Sequence, residues 1–414
     1  MNRFFSLMLT LGLLFLPISA IAQGLPEASP ESVGISSERL ERVNQLMAKY
    51  VDAEKIAGAI SMVARNGKVV HFESYGKSNM ATGDPMTLDT IVRIYSMSKP
   101  ITSVAMMMLY EEGTFQLDDP VDKYIPAFSN QSVYVEGTAA NPVLAPVKNK
   151  MTIRHLLTHT SGLSYGIFSN TPVDSLYRKS TGGTWWKNQQ VMSETLGEMP
   201  LLFEPGERWH YSLATDVLGY LVEVLSGQSF DSFLQERIFD PLKMVDTGFY
   251  VPAEKIARFS ANHGINADGS LLVVDAPATG QFSKKGEFLS GGGGLVSTAS
   301  DYIRFAQMLL NKGELDGVRL LGRKTVEYMT IDHISGVHAP GYGFGLGFSV
   351  RLDDMAPGVI GTPGTYGWNG AANTHYFADP EENLIGIFLT QLMPYGRYPI
   401  LPDFRVALYQ SLVE

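Results

Sequence analysis

Strand-like patterns in this chain lie near its two ends and are scarce in its middle. Near the N terminus, residues 59–65 and 68–75 are β-rich runs joined by Asn66-Gly67. This dipeptide is a strong hairpin signal, because both of its residues tolerate positive φ. Similar runs return near the C terminus, at residues 343–350, 372–378 and 384–390. We therefore predict one antiparallel sheet built from both ends of the chain.

Helix-like spacing of apolar residues flanks and separates these strands. Longer helices are predicted at residues 37–51, 96–112, 300–311 and 404–413, and shorter helical patches at 153–158, 215–225 and 230–239. The predicted fold class is α/β (α+β), an antiparallel sheet flanked by terminal helices. Its α/β part would comprise residues 30–115 and 270–414, and a mostly helical insert would comprise residues 116–269.

The first 22 residues have the three parts of a secretory signal peptide. Arg3 is followed by an apolar run at residues 4–16 and by the small-residue site Ala20-Ile21-Ala22. The apolar run is short for a helix crossing a hydrocarbon core roughly 30 Å thick, and the alternative is an uncleaved membrane anchor. Gln23 follows the expected cleavage site, which argues against a lipid anchor. We expect a mature chain of residues 23–414, exported to the periplasm or the exterior, without stable membrane insertion.

Composition excludes several classes of protein. Hydrophobic residues make up 45% of the chain and charged residues 18%, which is typical of a packed globular protein. The net charge is −10 and no basic run is present, so we expect no binding to nucleic acid. The absence of cysteine excludes disulfides and thiolate metal sites.

The tetrapeptide Ser96-Met97-Ser98-Lys99 is the first candidate for chemistry. Residues three apart lie on one side of a helix, so Lys99 would lie beside Ser96. A serine hydroxyl is a weak nucleophile until a base takes its proton, and a lysine can do so when burial favours its neutral form. Ser-x-x-Lys alone also fits an N-cap serine followed by a solvated lysine.

Four further segments, taken with Ser96-x-x-Lys99, carry a resemblance to a known family. They are 155–163, the Pro-Gly and Tyr-Ser pairs within 204–212, 291–301 and 367–371. In this order, over roughly residues 30–410, the chain resembles the serine β-lactamase and penicillin-binding-protein superfamily. The resemblance is to its class C-like branch with the family VIII carboxylesterases, and it implies a β-lactamase/transpeptidase-like fold.

The resemblance implies a role for several positions. Ser96 would be the acylated nucleophile, and Lys99 would exchange a proton with it. Tyr211 would act with Lys99 as general base and would protonate the leaving group. Trp368-Asn369-Gly370 falls where β-lactamases carry Lys-Thr-Gly on the strand beside the site. The backbone amides of Ser96 and Ala371 would form the oxyanion hole. No metal or organic cofactor is needed.

Two departures from the lactamase pattern bear on the substrate. Leu213 replaces an Asn that would contact a lactam's amide side chain, and Trp368 replaces the Lys that would help to hold a penicillin carboxylate. An apolar Leu and a Trp suit a neutral small-molecule ester, so we favour a carboxylesterase. The alternatives are a β-lactamase or D-amino-acid peptidase, and a penicillin-binding or sensor protein without turnover.

Other motifs were weighed against this interpretation. Residues 162–166 match the Gly-x-Ser-x-Gly nucleophile elbow, but no strand precedes Ser164 and no prompt helix follows, so we expect a loop. His155 and His159 have zinc-ligand spacing without the Glu or the third ligand that a zinc site requires, so we expect no metal site. His210 faces either the cleft or solvent, and His375, on the strand after Ala371, either lines the acyl pocket or faces solvent.

Overall fold

The computed structural model describes residues 24–180, 186–335, 338–353 and 358–414. The predicted signal peptide, residues 1–22, lies outside the described residues. Within the described part, the α-helices are α1 (Ser37–Asp52), α2 (Ser98–Glu111), α3 (Ile153–Leu157), α4 (Pro172–Ser180), α5 (Gln189–Glu198), α6 (Ala214–Ser226), α7 (Phe230–Leu234), α8 (Asp240–Leu242), α9 (Ala299–Leu310), α10 (Arg323–Met329) and α11 (Ile400–Tyr409).

The strands of the described part form one large sheet and four two-stranded pairs. They are β1 (Gly58–Arg65), β2 (Lys68–Gly76), β3 (Val92–Arg93), β4 (Ser132–Gly137), β5 (Pro142–Pro146), β6 (Asn262–Ile265), β7 (Leu271–Asp275), β8 (Val296–Ser297), β9 (Glu314–Leu315), β10 (Val318–Arg319), β11 (Tyr342–Phe344), β12 (Ser349–Arg351), β13 (Tyr366–Asn369), β14 (His375–Asp379) and β15 (Leu384–Thr390). The large sheet has the order β11-β12-β13-β14-β15-β1-β2, with every neighbouring pair antiparallel.

The sheet joins the two ends of the chain, as predicted. Strand β1 pairs with β15 from Ala59↔Thr390 to Arg65↔Leu384. The β1–β2 hairpin turns at Asn66 and Gly67, which have φ values of 54° and 75°. These left-handed conformations are those that favour Asn and Gly, which confirms the predicted turn.

A hydrophobic core covers each face of the sheet. On one face, β1 residues such as Val63 pack with α1 and α11. On the other face, Ile60 and Met62 belong to a larger core with α2, α6 and α9. Because successive strand residues point to opposite faces, the fully buried β1 carries apolar or small side chains on both faces up to Arg65 at its end. The large core fixes α2 against the sheet and thereby positions the segment that precedes it.

The predicted helices and strands were mostly confirmed, with several differences. The strand predicted at 343–350 is two strands, β11 and β12, because the chain turns between them through Gly347, whose φ is 98°. The strand predicted from residue 372 begins at His375. The last helix runs from Ile400 to Tyr409 and not from 404 to 413. The insert predicted at 116–269 contains the β4–β5 hairpin, and its limits stay a prediction.

Within the described part, none of the helices is both long and apolar enough to span a membrane.

Candidate active site

Ser96 lies in a 3-10 turn, Tyr95–Met97, and α2 begins two residues after it. Tyr95 has a φ of 41°, an uncommon conformation for a residue other than glycine. The Ser98 hydroxyl donates to the Tyr95 carbonyl at 2.6 Å and accepts from the Leu295 amide at 3.1 Å. These contacts tie the turn to the neighbouring loop and leave Ser96 half-buried at the edge of a cavity.

Lys99 is 1% exposed and its amine points toward Ser96. Its Nζ lies 3.4 Å from Ser96 Oγ, 2.9 Å from Tyr165 Oη and 2.6 Å from the Gly292 carbonyl oxygen. Within the described residues no carboxylate forms an ion pair with this amine. The predicted Ser96–Lys99 juxtaposition is therefore present, with the lysine buried and the serine half-buried.

Asp216 lies behind this pair, in the first turn of α6. Its carboxyl accepts hydrogen bonds from the Ser290 hydroxyl and the Gly292 amide. Burial raises the pKa of Asp216, with Lys99 opposing the shift. Burial, and then the neighbouring Asp216, hold the pKa of Tyr165 well above its usual range. Tyr165 is thus a neutral phenol held between an amine and a carboxyl.

The glycine run at residues 291–294 permits this packing. A Cβ on Gly292 would lie 2.4 Å from Asp216 Oδ2 and 2.9 Å from Tyr165 Oη. A Cβ on Gly291 would lie 2.6 Å from the Thr215 carbonyl oxygen. Side chains at these positions would force the buried groups apart, so the glycine run allows the backbone to approach these groups closely.

Tyr211 borders the same space. Lys99 Nζ lies 4.5 Å from the centroid of the Tyr211 ring, and Tyr211 Oη accepts a 3.4 Å hydrogen bond from the Trp368 indole. The ring packs against His159 at 4.9 Å and stacks with Trp209 at 6.1 Å between centroids. The aromatic packing fixes the ring in place, with its hydroxyl directed to Trp368.

The segment 368–371 reaches the site from the sheet. Trp368 and Asn369 end β13, and the next strand, β14, begins at His375. Gly370 then passes so close to the turn before Ser96 that a Cβ on it would lie 2.4 Å from the Ile94 carbonyl oxygen. This contact brings Ala371 to the same cavity wall as Ser96.

Two cavities meet at Ser96 and share Phe168, Tyr211 and Ala371. One, of about 300 Å³, runs past Leu213 to the apolar side chains of Phe249, Phe282, Phe288 and Leu289. The other, of about 620 Å³, is bordered by the aromatic residues Trp209, Tyr211, Trp368 and Tyr395. Leu213 therefore lies where the sequence predicts it, and a bound molecule can extend in two directions from Ser96.

One predicted binding residue lies elsewhere. His375 pairs with Asn369 Oδ1 through Nδ1 and lines a separate cavity with Phe377, which packs in the α1–α11 core. In the antiparallel register His375 faces Asn369, whereas its neighbour Tyr376 faces the large core. Among the described residues, His375 thus does not border either cavity at Ser96, and the expectation of an acyl-pocket role was wrong.

The other candidate motifs have structural explanations. Ser164 is 1% exposed in a loop, donates to Asp174 Oδ1 at 2.5 Å and accepts from the Gly166 amide at 2.8 Å. His155 caps α3 through the Thr152 amide at 3.2 Å, and His159 packs behind Tyr211. No group of three potential metal ligands occurs in the described part of the chain.

His210 borders the larger cavity. Its backbone amide donates to the His159 carbonyl at 2.8 Å, and burial lowers the pKa of its half-buried imidazole. Of the two orientations that the sequence leaves open, the structure therefore favours the one toward the cleft.

The sequence reasoning missed Tyr165 and Asp216. Tyr165 belongs to the rejected elbow motif, and Asp216 follows Tyr211 by five residues without a pattern of its own. The one available signal was their proximity in sequence to segments 155–163 and 204–212, which carry the resemblance.

A serine and a buried lysine one turn apart, at the start of a helix packed on an antiparallel sheet, define a β-lactamase/transpeptidase-like site. A model of the Beta-lactamase family matches residues 43–410 of the chain. The chain belongs to this family, and the predicted resemblance and fold class are confirmed.

Named relatives include esterases and acyltransferases. Esterase EstB from Burkholderia gladioli is 30% identical over 396 residues, which cover 89% of this chain and 94% of that protein. Among solved structures, EstCE1, described as a hydrolase with promiscuous acyltransferase activity, has a TM-score of 0.75 at 25% identity and covers 90% of this chain and 99% of its own. Simvastatin synthase LovD from Aspergillus terreus has a TM-score of 0.76 at 26% identity, and the match covers 90% of this chain and 98% of that chain.

Proposed function

We propose that the protein is a serine esterase that forms an acyl-enzyme on Ser96. The observation that carries this proposal is the 3.4 Å separation of Ser96 Oγ and Lys99 Nζ at the junction of two apolar cavities. A nucleophile, a buried amine and space on both sides of the reacting carbon are what acyl transfer from an ester requires. The esterase relatives support the same reaction.

Acylation would proceed by attack of Ser96 Oγ on the ester carbonyl carbon. Lys99 accepts the hydroxyl proton, and the new C–O bond gives a tetrahedral oxyanion that the amides of Ser96 and Ala371 stabilise. Collapse breaks the bond to the alcohol oxygen, which leaves with a proton delivered by Tyr211 or Lys99. Water then attacks the acyl-enzyme, and the same groups return the proton to Ser96 as the carboxylic acid departs.

The cavity walls favour a neutral ester over a penicillin-like lactam. Leu213 and Trp368 border the space beside Ser96 and offer neither an amide nor a cation at those positions. A hydrogen bond to a charged group is worth about 1.5–3 kcal/mol, so a lactam carboxylate would lose roughly tenfold or more in binding. We assign the acyl group to the smaller cavity and the alcohol to the larger, aromatic cavity beside Tyr211.

Acyl transfer to a second alcohol is the other candidate activity. It uses the same acyl-enzyme and replaces water by an alcohol in the second step, so the atoms balance without a further reactant. The relatives named as acyltransferases and the 620 Å³ cavity, large enough for a bulky alcohol, support it.

The test compares p-nitrophenyl butyrate with nitrocefin as substrates of the mature chain. We expect faster ester hydrolysis, abolished by Ser96→Ala and largely retained by the control variant Ser164→Ala. Faster nitrocefin turnover would favour a lactamase, and stable acylation without release would favour a sensor. Activity that survives in Ser96→Ala would refute the mechanism.

We also propose that the chain is exported after removal of residues 1–22, as their composition suggests. N-terminal sequencing of protein recovered from the periplasm and the medium should find Gln23 as the first residue. Full-length protein retained in the membrane fraction would support the uncleaved anchor instead.

A further inference from the structure

Asp216 is a buried carboxyl beside the site that the acylation steps above do not use. It is 1% exposed, and it lies in the first turn of α6. Its Oδ1 accepts hydrogen bonds from the Ser290 hydroxyl and, at 3.1 Å, from the Gly292 amide. Burying a carboxyl costs free energy unless its surroundings compensate the charge, so a carboxyl kept at this place indicates a role.

The backbone of Gly292 and the phenol of Tyr165 connect this carboxyl to Lys99. The Gly292 amide donates to Asp216, and its carbonyl oxygen accepts from Lys99 Nζ at 2.6 Å. A Cβ on Gly292 would lie 2.4 Å from Asp216 Oδ2 and 2.9 Å from Tyr165 Oη, so these two oxygens approach the same position. Tyr165 Oη lies 2.9 Å from Lys99 Nζ on its other side. The amine, the phenol and the carboxyl therefore form one buried cluster beside Ser96.

Asp216 is the acidic member of this cluster. The other titratable side chains that face Lys99 are Tyr165, Tyr211 and His159. Burial holds the pKa of Tyr165 well above its usual range and the pKa of His159 well below, so both side chains are neutral at neutral pH. Burial also raises the pKa of Asp216, and Lys99 is the largest influence that opposes this shift. The charges of Asp216 and Lys99 therefore favour each other.

We propose that Asp216 is a positioning residue whose carboxylate stabilises the ammonium that Lys99 becomes when it takes the Ser96 proton. The proposal rests on the proposed acylation of Ser96 and names the group that compensates the positive charge of that step. The proton moves from Ser96 Oγ to Lys99 Nζ as the C–O bond to the substrate forms, and Asp216 neither gains nor loses a proton. A fixed charge aimed at a charge that develops in the transition state lowers the barrier.

The test is the pH profile of kcat/KM and kcat for p-nitrophenyl butyrate in the wild type and in Asp216→Asn, which keeps the shape of the side chain and removes its charge. We expect the acid limb of kcat/KM to move about one pH unit or more toward lower pH, because the protonated amine loses its anionic partner. Above the limb, kcat should fall about three- to tenfold, since a weaker base takes the proton less readily. A structural defect alone would lower kcat by the same factor at every pH.

Asp301→Asn is the matched control. Asp301 is also a buried carboxyl at the third position of a helix, α9, and its hydrogen-bond partners are Asp246 and Thr247. This variant should keep the wild-type profile. If Asp216→Asn does not fold, Ser290→Ala replaces it, because loss of a donor to the carboxylate should move the limb in the same direction by a smaller amount.

Labelling of the wild type by a fluorophosphonate probe separates this proposal from the proposed function. If Ser96 is not labelled and the ester is not hydrolysed, the proposed function itself fails. If Ser96 is labelled, coincident acid limbs in the wild type and in folded Asp216→Asn would overturn the role of Asp216 and leave the esterase in place. A loss of kcat that is uniform across pH, or an equal shift in Asp301→Asn, would overturn it as well.

Discussion

Lys99 donates a 2.9 Å hydrogen bond to the phenol oxygen of Tyr165, and this distance is shorter than the 3.4 Å to Ser96 Oγ. Tyr165 lies in turn beside the buried Asp216 carboxyl. The amine is thus oriented by a neutral phenol and by the Gly292 carbonyl, and not by a salt bridge. Such an arrangement holds Nζ within reach of Ser96 Oγ.

Tyr165→Phe removes the oxygen that orients Lys99 and keeps the ring. A hydrogen bond is typically worth about 0.5–1.5 kcal/mol, so we expect kcat for p-nitrophenyl butyrate to fall roughly 2–10-fold. KM should change little, since the cavity walls are retained, and the pH profile of kcat should shift. Tyr110→Phe, on the far end of α2, is the control. An unchanged kcat in Tyr165→Phe would exclude a role for this phenol.

Acyl-chain preference should depend on Phe249, which borders the smaller cavity and packs against Phe230 at 5.4 Å. Phe249→Leu enlarges the end of this cavity with limited loss of packing. Because one methylene is worth about 1–3 kcal/mol in a hydrophobic pocket, the octanoate-to-butyrate ratio of kcat/KM should rise about tenfold. Phe115→Leu, buried at the end of α2, should leave the ratio unchanged. A ratio that changes equally in both variants would show that the smaller cavity does not receive the acyl chain.

Asp301 should make the protein less stable as the pH rises through neutrality. Burial raises its pKa to about 7, although its carboxyl accepts from the Asp246 amide and the Thr247 hydroxyl. A raised pKa means that the folded state holds a proton that the unfolded state has released, so this stabilisation is complete below about pH 4 and is lost through pH 7. The loss is roughly 2–4 kcal/mol.

The check is urea unfolding at pH 5.5 and pH 8 of the wild-type chain and of Asp301→Asn, which mimics the protonated acid. We expect the variant to lose less stability between the two pH values than the wild type does. Asp268→Asn, at an exposed turn, should keep the wild-type difference. Parallel behaviour of wild type and Asp301→Asn would contradict the raised pKa.

Ser164 should matter for stability and not for the covalent step. Its buried hydroxyl bridges Asp174 and the Gly166 amide, so Ser164→Ala should lower the free energy of unfolding by about 1–3 kcal/mol. Labelling by a fluorophosphonate probe should persist. Loss of labelling in a variant that is folded by circular dichroism would revive the nucleophile-elbow interpretation.

Local signals in the sequence located the elements that the site needs. Asn66-Gly67 identified the hairpin because its φ values require those residues, and Ser96-x-x-Lys99 identified the pair because helical spacing brings residues three apart together. The helix starts two residues later than predicted, at Ser98, because Tyr95 adopts a left-handed conformation, with its carbonyl bonded to the Ser98 hydroxyl and its own hydroxyl bonded to the distant Asn262. That conformation has no sequence signature in a tyrosine.

Local sequence patterns could not predict the contacts between segments that are distant in the sequence. Tyr165 reaches Lys99 across 66 positions of sequence, and no spacing rule connects them. His375 lies in neither of the two positions that the sequence left open, the acyl pocket or solvent, because the register that places it opposite Asn369 depends on a turn at Gly370 whose length the sequence does not specify. Side chains alternate between the two faces of a strand, but this alternation does not show which face His375 occupies unless the register is known.

Formation of an acyl-enzyme on Ser96 is the central claim, and trapping that intermediate tests it most directly. The mature chain would be acid-quenched during turnover of p-nitrophenyl butyrate, digested, and mapped by tandem mass spectrometry, with Ser96→Ala and Ser164→Ala treated in parallel. We predict one butyryl group on Ser96 in the wild type and in Ser164→Ala, and none in Ser96→Ala. A butyryl group on Ser164 or on another side chain would contradict the mechanism. So would turnover that fluorophosphonate blocks but that leaves no butyryl adduct on Ser96.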